Sequence, residues 1–208
     1  MTVVAAFEES AEALVALVGG VEDDQWAQPG LGVWTVRQLA GHAGRALTTV
    51  ADYLAAEPAT EKTYASAELY FAAFLTARQD DRGAADEAVA QRGVQAGLDL
   101  GDSPVTTVRG WADEVYAALK SQPLDRLVAT RFGGMALGEY LRTRLFELVV
   151  HGLDLARATG QPLDLVPASG VAACLELATG IATHTDQGTA LLLALTGREP
   201  LPPDFALL

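Results

Sequence analysis

The stretch Arg144-Leu-Phe-Glu147-Leu-Val-Val-His151-Gly-Leu-Asp154 sets a carboxylate and an imidazole four residues apart inside an otherwise apolar run. Residues i and i+4 lie one above the other on a helix face. At about 100° per residue, Leu141, Leu145, Leu148, Gly152 and Leu155 form one stripe, and Tyr140, Arg144, Glu147, His151 and Asp154 form a second beside it. The pattern predicts a helix from about 138 to 158 with a core face and a polar seam on its edge, stopped by Gly160 with Pro162 behind it. A glutamate and a histidine able to share one cation at the border of a core are what a metal site requires. A solvated flank of an amphipathic helix is the other reading of the same spacing.

Working outward, the chain reads as a series of amphipathic helices. Val4, Phe7, Ala11, Leu14, Val15 and Val18 recur at helical spacing until Gly19-Gly20 ends the pattern. Residues 21–31 carry acids, Trp26, Pro29 and two glycines, and read as a loop whose tryptophan packs back on the helices. Gly30-Leu-Gly32 is no dinucleotide fingerprint, since no strand precedes it and the third glycine is missing. Thr35-Val-Arg-Gln38 is a capping box, with Trp34 and Leu39 spaced as a hydrophobic staple, so a second helix starts there. Its apolar face is Leu39, Ala43, Ala46, Leu47, Val50 and Leu54, and His42 lies on the flank. A lone histidine in that setting is either a packed, hydrogen-bonded residue or a ligand on a rigid platform.

Pro58 breaks the pattern. Residues 59 to about 81 read as a loop and a helix whose Tyr64, Tyr70, Phe71 and Phe74 serve packing or line a pocket. Residues 84–100 read as an alanine-rich helix, and periodicity leaves open whether 59–100 holds one helix or two. Ser103-Pro104 supplies an N-cap and a proline at the first helical position, for a helix reaching Lys120 before Pro123. Residues 128–137, with Gly133-Gly134 in the middle, are the one strand-like place, a minor ribbon or an extended loop. Beyond the central helix, 168–183 and 188–195 read as helices and 201–205 as a tail; the one candidate boundary is 161–167. The expected fold class is all-α.

Composition narrows the function. At 208 residues, half hydrophobic and 20% charged, the chain suits one globular domain, or one with a small appendage. A net charge of -13 argues against nucleic acid and anionic membranes as partners. No apolar run reaches the length of a membrane span, and Met1 leads into an amphipathic pattern without a signal peptide's basic segment. Cys174, the one cysteine, excludes an internal disulfide and a multi-thiolate metal site, and a reducing, cytoplasmic setting is expected. Its apolar surroundings make it a core residue rather than a nucleophile. His184, near a helix end, reads as a surface or capping residue.

Three stretches, Trp34-Thr-Val-Arg-Gln-Leu-Ala-Gly-His42, Gly134-Met-Ala-Leu-Gly-Glu-Tyr140 and Arg144 through Gly160, occur in the order seen in a known family. Together they resemble the mycothiol-dependent maleylpyruvate isomerase family of the DinB-like superfamily. The resemblance implies a DinB-like four-helix bundle over 1–160 with additional short helices, and leaves 161–208 as a C-terminal helical extension packed on the bundle. Full-length isomerases of the family carry a second α/β domain, for which the 48 residues after Gly160 are too few. The closing Leu191-Leu-Leu-Ala-Leu-Thr-Gly-Arg198 is similar to a piece near the end of shorter relatives.

The resemblance also implies the ligand set. A histidine of the second bundle helix, with a glutamate and a histidine four apart on the last, falls on His42, Glu147 and His151. The implied metal is Zn2+, with Fe2+ or Ni2+ suited to the same donors. Many wider relatives have histidine where this chain has Glu147, so the Glu-xxx-His form points to the mycothiol branch. The implied partners are mycothiol and a small-molecule electrophile such as maleylpyruvate, with no nucleic acid and no membrane, in a monomer or homodimer.

Two imidazoles and one carboxylate leave a fourth coordination position open, as in catalytic zinc sites. A thiol entering it is delivered as thiolate near neutral pH. In a cis-trans isomerase the thiolate adds to the double bond, allows rotation and leaves; in an S-transferase it stays attached. The same ligands suit a hydrolase using metal-activated water, and a metal-binding or ligand-binding bundle without catalysis is the competing class. Asp154 is expected either to orient a ligand histidine, His42 across the bundle being the candidate, or to face solvent. Arg144 is expected either to neutralise a carboxylate of substrate or cofactor, or to pair with Glu147 or Glu139. Tyr140 is a further pocket candidate.

Overall fold

The computed structural model describes residues 1–80, 82–203 and 205–207, and the side chains of all of these except 77–80, 82 and 84–86. Among them are eight α-helices: α1 (Val3–Gly19), α2 (Val36–Ala55), α3 (Ala67–Asp80), α4 (Arg82–Asp99), α5 (Pro104–Leu119), α6 (Leu137–Thr159), α7 (Ala168–His184) and α8 (Gly188–Leu195). Two antiparallel ribbons interrupt them, β1 (Pro29–Leu31) with β2 (Trp34–Thr35), and β3 (Leu127–Thr130) with β4 (Gly133–Ala136). The fold is all-α, with a DinB-like four-helix bundle at its centre in which α1 and α2 each pack on both α5 and α6. Helix α4 lies against α2, while α3 and α7 flank α6. Among the described residues no helix is long and apolar enough to cross a membrane.

Local chemistry sets the helix ends. The Thr35 box is complete: its Oγ1 accepts from the Gln38 N–H at 3.3 Å, and Gln38 Oε1 accepts from the Thr35 N–H at 3.0 Å. Pro104 opens α5 as the spacing predicts, although the Ser103 hydroxyl makes no capping bond. Helix α6 stops where Gly160 turns left-handed, at φ 70°. The stripe Leu141, Leu145, Leu148, Gly152 and Leu155 is buried, in one core with Phe7, Leu14 and Leu17 of α1 and Leu39 and Leu47 of α2. Each such leucine contributes roughly 1.5–3 kcal/mol by leaving water.

Small residues bring α2 and α4 together. A Cβ on Gly41 would lie 2.3 Å from the Ala96 carbonyl oxygen, and one on Gly93 would lie 2.4 Å from the Trp34 indole. The two helices therefore meet backbone to backbone, and Arg37 Nε donates to the Gly97 carbonyl at 2.8 Å across the seam. This contact fixes α2 one residue away from His42.

The structure decides one open reading and changes one expectation. Residues 59–100 hold two helices, α3 and α4, whose junction at Asp81 lies outside the described residues. The stretch at 128–137 is not the one strand-like place, because 29–35 also pairs, turned by Gly32 at φ 56°. Strands of three and two residues are too short to display a period of two, so spacing alone gives no sign of them. The ribbon expected at 128–137 is present, and the backbone N–H groups of Thr63 and Tyr64 donate to the Gly134 carbonyl at 2.8 and 3.0 Å.

After Gly160 a 3-10 turn, Leu163–Leu165, leads into α7, which packs on α6, α3 and α1. Helix α8 packs on α7 and has no buried residue. In the tail expected at 201–205, Asp204 lies outside the described residues.

Candidate metal centre

Two helices supply three donors. Glu147 and His151 stand one turn apart on α6, with Glu147 Oε2 3.1 Å from His151 Nε2. His42 approaches from α2, its ring centroid 5.0 Å from that of His151 at an interplanar angle of 80°. One donor atom from each of the three lies within 4.8 Å of the others, the one such group of His, Cys, Asp or Glu among the described residues.

Each donor is held from behind. The Trp34 ring lies on His42 with centroids 4.3 Å apart, and its Nε1–H donates to the Ala90 carbonyl of α4 at 3.1 Å. His151 Nδ1 is 3.2 Å from Asp154 Oδ2. Asp154 thus serves His151 and not His42 across the bundle, because i,i+3 spacing on one helix already brings the two side chains together. Arg144 Nε donates to Thr143 Oγ1 at 3.0 Å, and its guanidinium carbon sits 5.1 Å from the Tyr140 ring centroid. Arg144 Nη2 is 3.8 Å from Glu147 Oε1, which is attraction without a hydrogen bond. Glu139, the other partner expected for Arg144, is held by Arg142 at 2.8 Å.

The electrostatics suit a cation. Burial first, and the charge of His151 second, hold His42 down to about 4, so the ring is neutral and its lone pair available at neutral pH. His42 Nδ1 is buried without a hydrogen-bond partner. Leaving such an atom unsatisfied costs roughly 1–3 kcal/mol, and a bound ion is one way to relieve it. His151 behaves oppositely: burial opposes its charge, yet hydrogen bonds to Asp154 and Glu147 hold it up at about 9. Burial likewise opposes the charge of Glu147, but the His151 hydrogen bond and the Arg144 charge bring it down to about 2. A proton between His151 and Glu147 therefore does in the metal-free protein what a divalent cation would do with the same two groups. Two imidazoles, one with an unsatisfied nitrogen, and an ionised carboxylate fit such a metal.

The donors open on a cavity of about 660 Å³, within the size range of small-molecule sites. Tyr70, Phe71 and Phe74 line it, whereas Tyr64 packs edge-on against Tyr70 at 5.4 Å. Tyr140 and Arg144 line it too, joined by Arg45, Arg92 and Arg131. Sequence spacing gives no sign of Arg92 or Arg131, which come from other elements; Arg45, three residues after His42 on α2, carries the i,i+3 signal that would have found it. Cys174 is buried with its Sγ 3.9 Å from the Leu145 carbonyl, and burial pushes its thiol up to about 12, so it is no nucleophile. His184 is exposed at the end of α7.

Comparison with known families finds the Mycothiol maleylpyruvate isomerase N-terminal domain, whose model matches residues 7–156. That span includes His42, Glu147, His151 and Asp154. No curated protein and no solved structure matches the chain.

Proposed function

The chain belongs to the mycothiol maleylpyruvate isomerase N-terminal domain family, and from that premise we propose that it is a metal-dependent enzyme joining a low-molecular-weight thiol, mycothiol, to a small electrophile. The reaction is cis-trans isomerisation of a substrate such as maleylpyruvate, or S-transfer. One observation carries the reading: His42, Glu147 and His151 converge within 4.8 Å of one another on the wall of a cavity. They would hold one divalent cation, zinc before iron or nickel, which when bound supplies a Lewis acid that favours thiolate over thiol.

The chain's own residues do the rest. Asp154 engages Nδ1 of His151, which leaves Nε2 directed at Glu147. Trp34 braces the His42 ring from the α4 side. Phe71, Phe74 and Phe146 wall the cavity with apolar surface, so that the sulfur meets the electrophile with little competing water. Burial, against the pull of Arg144, pushes Tyr140 up to about 12, so its hydroxyl keeps its proton at neutral pH.

In the isomerase reaction the sulfur bonds to one carbon of the cis double bond, and the displaced electron pair moves onto the conjugated carbonyl. The resulting single bond rotates, and expulsion of the same thiolate restores the double bond in the trans form. Arg144 stabilises the oxyanion between addition and expulsion, as a fixed cation in a sheltered site can. In S-transfer the carbon–sulfur bond is retained. We read residues 161–208 as a helical extension of the 1–160 bundle, and the thiol partner and the single buried cysteine fit a cytoplasmic setting.

Metal analysis of the purified protein beside His42→Ala tests the reading. The expected result is about one divalent metal per chain in the wild type, its loss in the variant, and thiol-dependent turnover of maleylpyruvate that falls to background with it. Full metal content in His42→Ala would sink the ligand assignment. Turnover undiminished without thiol would replace the thiol by metal-activated water.

A further inference from the structure

The cavity beside the three donors is basic, although the protein is not. The chain carries a net charge of -13 with only 14 lysines and arginines, and four of those arginines, Arg45, Arg92, Arg131 and Arg144, line this one cavity. Its lining carboxylates are Glu147 and Asp154, and both are committed to His151, at 3.1 and 3.2 Å. Among the described residues, Arg45, Arg92 and Arg131 have no carboxylate within 4.0 Å.

These three arginines come from separate elements and line one space. Arg45 stands one turn after His42 on α2, and Arg92 on α4 is half-buried. Arg131 sits at the turn of the β3–β4 ribbon, where its backbone N–H donates to the Tyr53 hydroxyl at 3.2 Å. The turn is braced further by the Thr130 hydroxyl, which donates to the Gly133 carbonyl at 2.6 Å. Burial, and after it the charges of Arg131 and Arg45, pull Arg92 below the usual arginine range. Like charges gathered in a partly buried place, with no carboxylate among the described residues paired to them, repel one another and lose hydration. An anion entering the cavity removes that cost, and a basic cleft on an acidic protein concentrates the field that draws it in.

We propose that Arg45, Arg92 and Arg131 form an oxyanion subsite on the α4 and β3–β4 side of the cavity, so that the electrophile is one carrying a carboxylate or phosphate group away from its reacting carbon. The subsite is distinct from Arg144, which serves charge developing at the reacting carbonyl. The assignment of this anion to the electrophile rests on the thiol-addition reading; the subsite itself does not.

Calorimetric titration of the metal-loaded protein with succinate, an unreactive dicarboxylate, beside its neutral analogue succinamide, tests it. Succinate is expected to bind, and succinamide at least about tenfold more weakly, as loss of charge-assisted hydrogen bonds requires. Arg92→Gln and Arg131→Gln should each weaken succinate about tenfold without changing metal content, and added salt should weaken it in the wild type. Because Arg131 is on an exposed turn, its variant keeps the test open if Arg92→Gln fails to fold.

Inorganic phosphate as competitor identifies the group: displacement of succinate at equal concentration assigns a phosphorylated ligand, and its failure to displace assigns a carboxylate. Equal binding of succinate and succinamide, or full succinate affinity in both variants, overturns the subsite. Succinate binding that survives chelation but is lost in the arginine variants upholds the subsite even if thiol chemistry is never found. Binding lost on chelation alone, with the variants unaffected, overturns the subsite and leaves the thiol reading standing.

Discussion

Helix α2 and helix α8 make an instructive pair. Helix α2 has polar residues through its length, yet ten of its residues are buried, and Gly41 lets it meet α4 at van der Waals distance between backbones. Helix α8, Gly-Thr-Ala-Leu-Leu-Leu-Ala-Leu, is almost wholly apolar and buries none; Leu192 and Leu195 are 62% and 68% exposed. Hydrophobicity supplies a drive to be covered, but neighbours on more than one side decide whether a helix is. His42, the donor that must reach across to Glu147 and His151 of α6, stands on this closely packed helix, which suits a group that must keep its geometry before a ligand arrives.

The hardest blow to this contrast is Gly41→Val. The added side chain would press into the Ala96 carbonyl, and a loss of about 3 kcal/mol is expected in denaturant melts, with metal retention falling alongside. A near-neutral result would mean that α2 and α4 are not locked.

A second test asks what the tight setting does to the donors. His151 is held at about 9, above its ordinary 6.5, so in the metal-free protein it keeps a proton at neutral pH. That proton contributes stability in full below about 6.5 and loses it as pH rises through about 9. A cation on Nε2 must displace it, so metal affinity should rise about tenfold per pH unit from pH 7 to 9. Calorimetry in buffers of different ionisation enthalpy should count one proton released; none would remove Nε2 from the ligand set.

Smaller effects sharpen the pair further. Thr35→Ala removes the oxygen that caps α2 and should cost about 1 kcal/mol, read as a shift in denaturation midpoint. Leu192→Ser on α8 should stay within about 0.5 kcal/mol of wild type. A loss well beyond that would mean α8 is covered in solution and the contrast is false.

What sequence made legible follows the same division. Features written in neighbouring residues read correctly: the Thr35 and Gln38 box, Gly160 as the end of α6, and Glu147 with His151 on one face. These depend on helical pitch and on hydrogen bonds spanning three or four residues. What depends on distant segments did not read. His42 on α2 and Glu147 on α6 are 105 residues apart, and the residues around His42 favoured a packed histidine over a ligand; the family resemblance, not spacing, set it beside Glu147 and His151. Asp154 was read toward His42 across the bundle, although its three-residue spacing to His151 on α6 was the better guide. The cluster of Arg45, Arg92 and Arg131 is assembled by α2, α4 and a ribbon turn that share no spacing at all.

Trp34 has one further consequence, and it is optical. Its ring is 8% exposed and rests 4.3 Å from the His42 ring, with the indole N–H tied to Ala90. Emission from so sheltered an indole lies to the blue of an exposed one, and its yield responds to the charge on the imidazole it touches. Acidification charges that imidazole, and a bound cation prevents its protonation, so the two conditions leave different marks on fluorescence. With Trp26 and Trp111 replaced by phenylalanine, the molecule would carry an unlabelled gauge of occupancy at its own centre, legible in ordinary buffer.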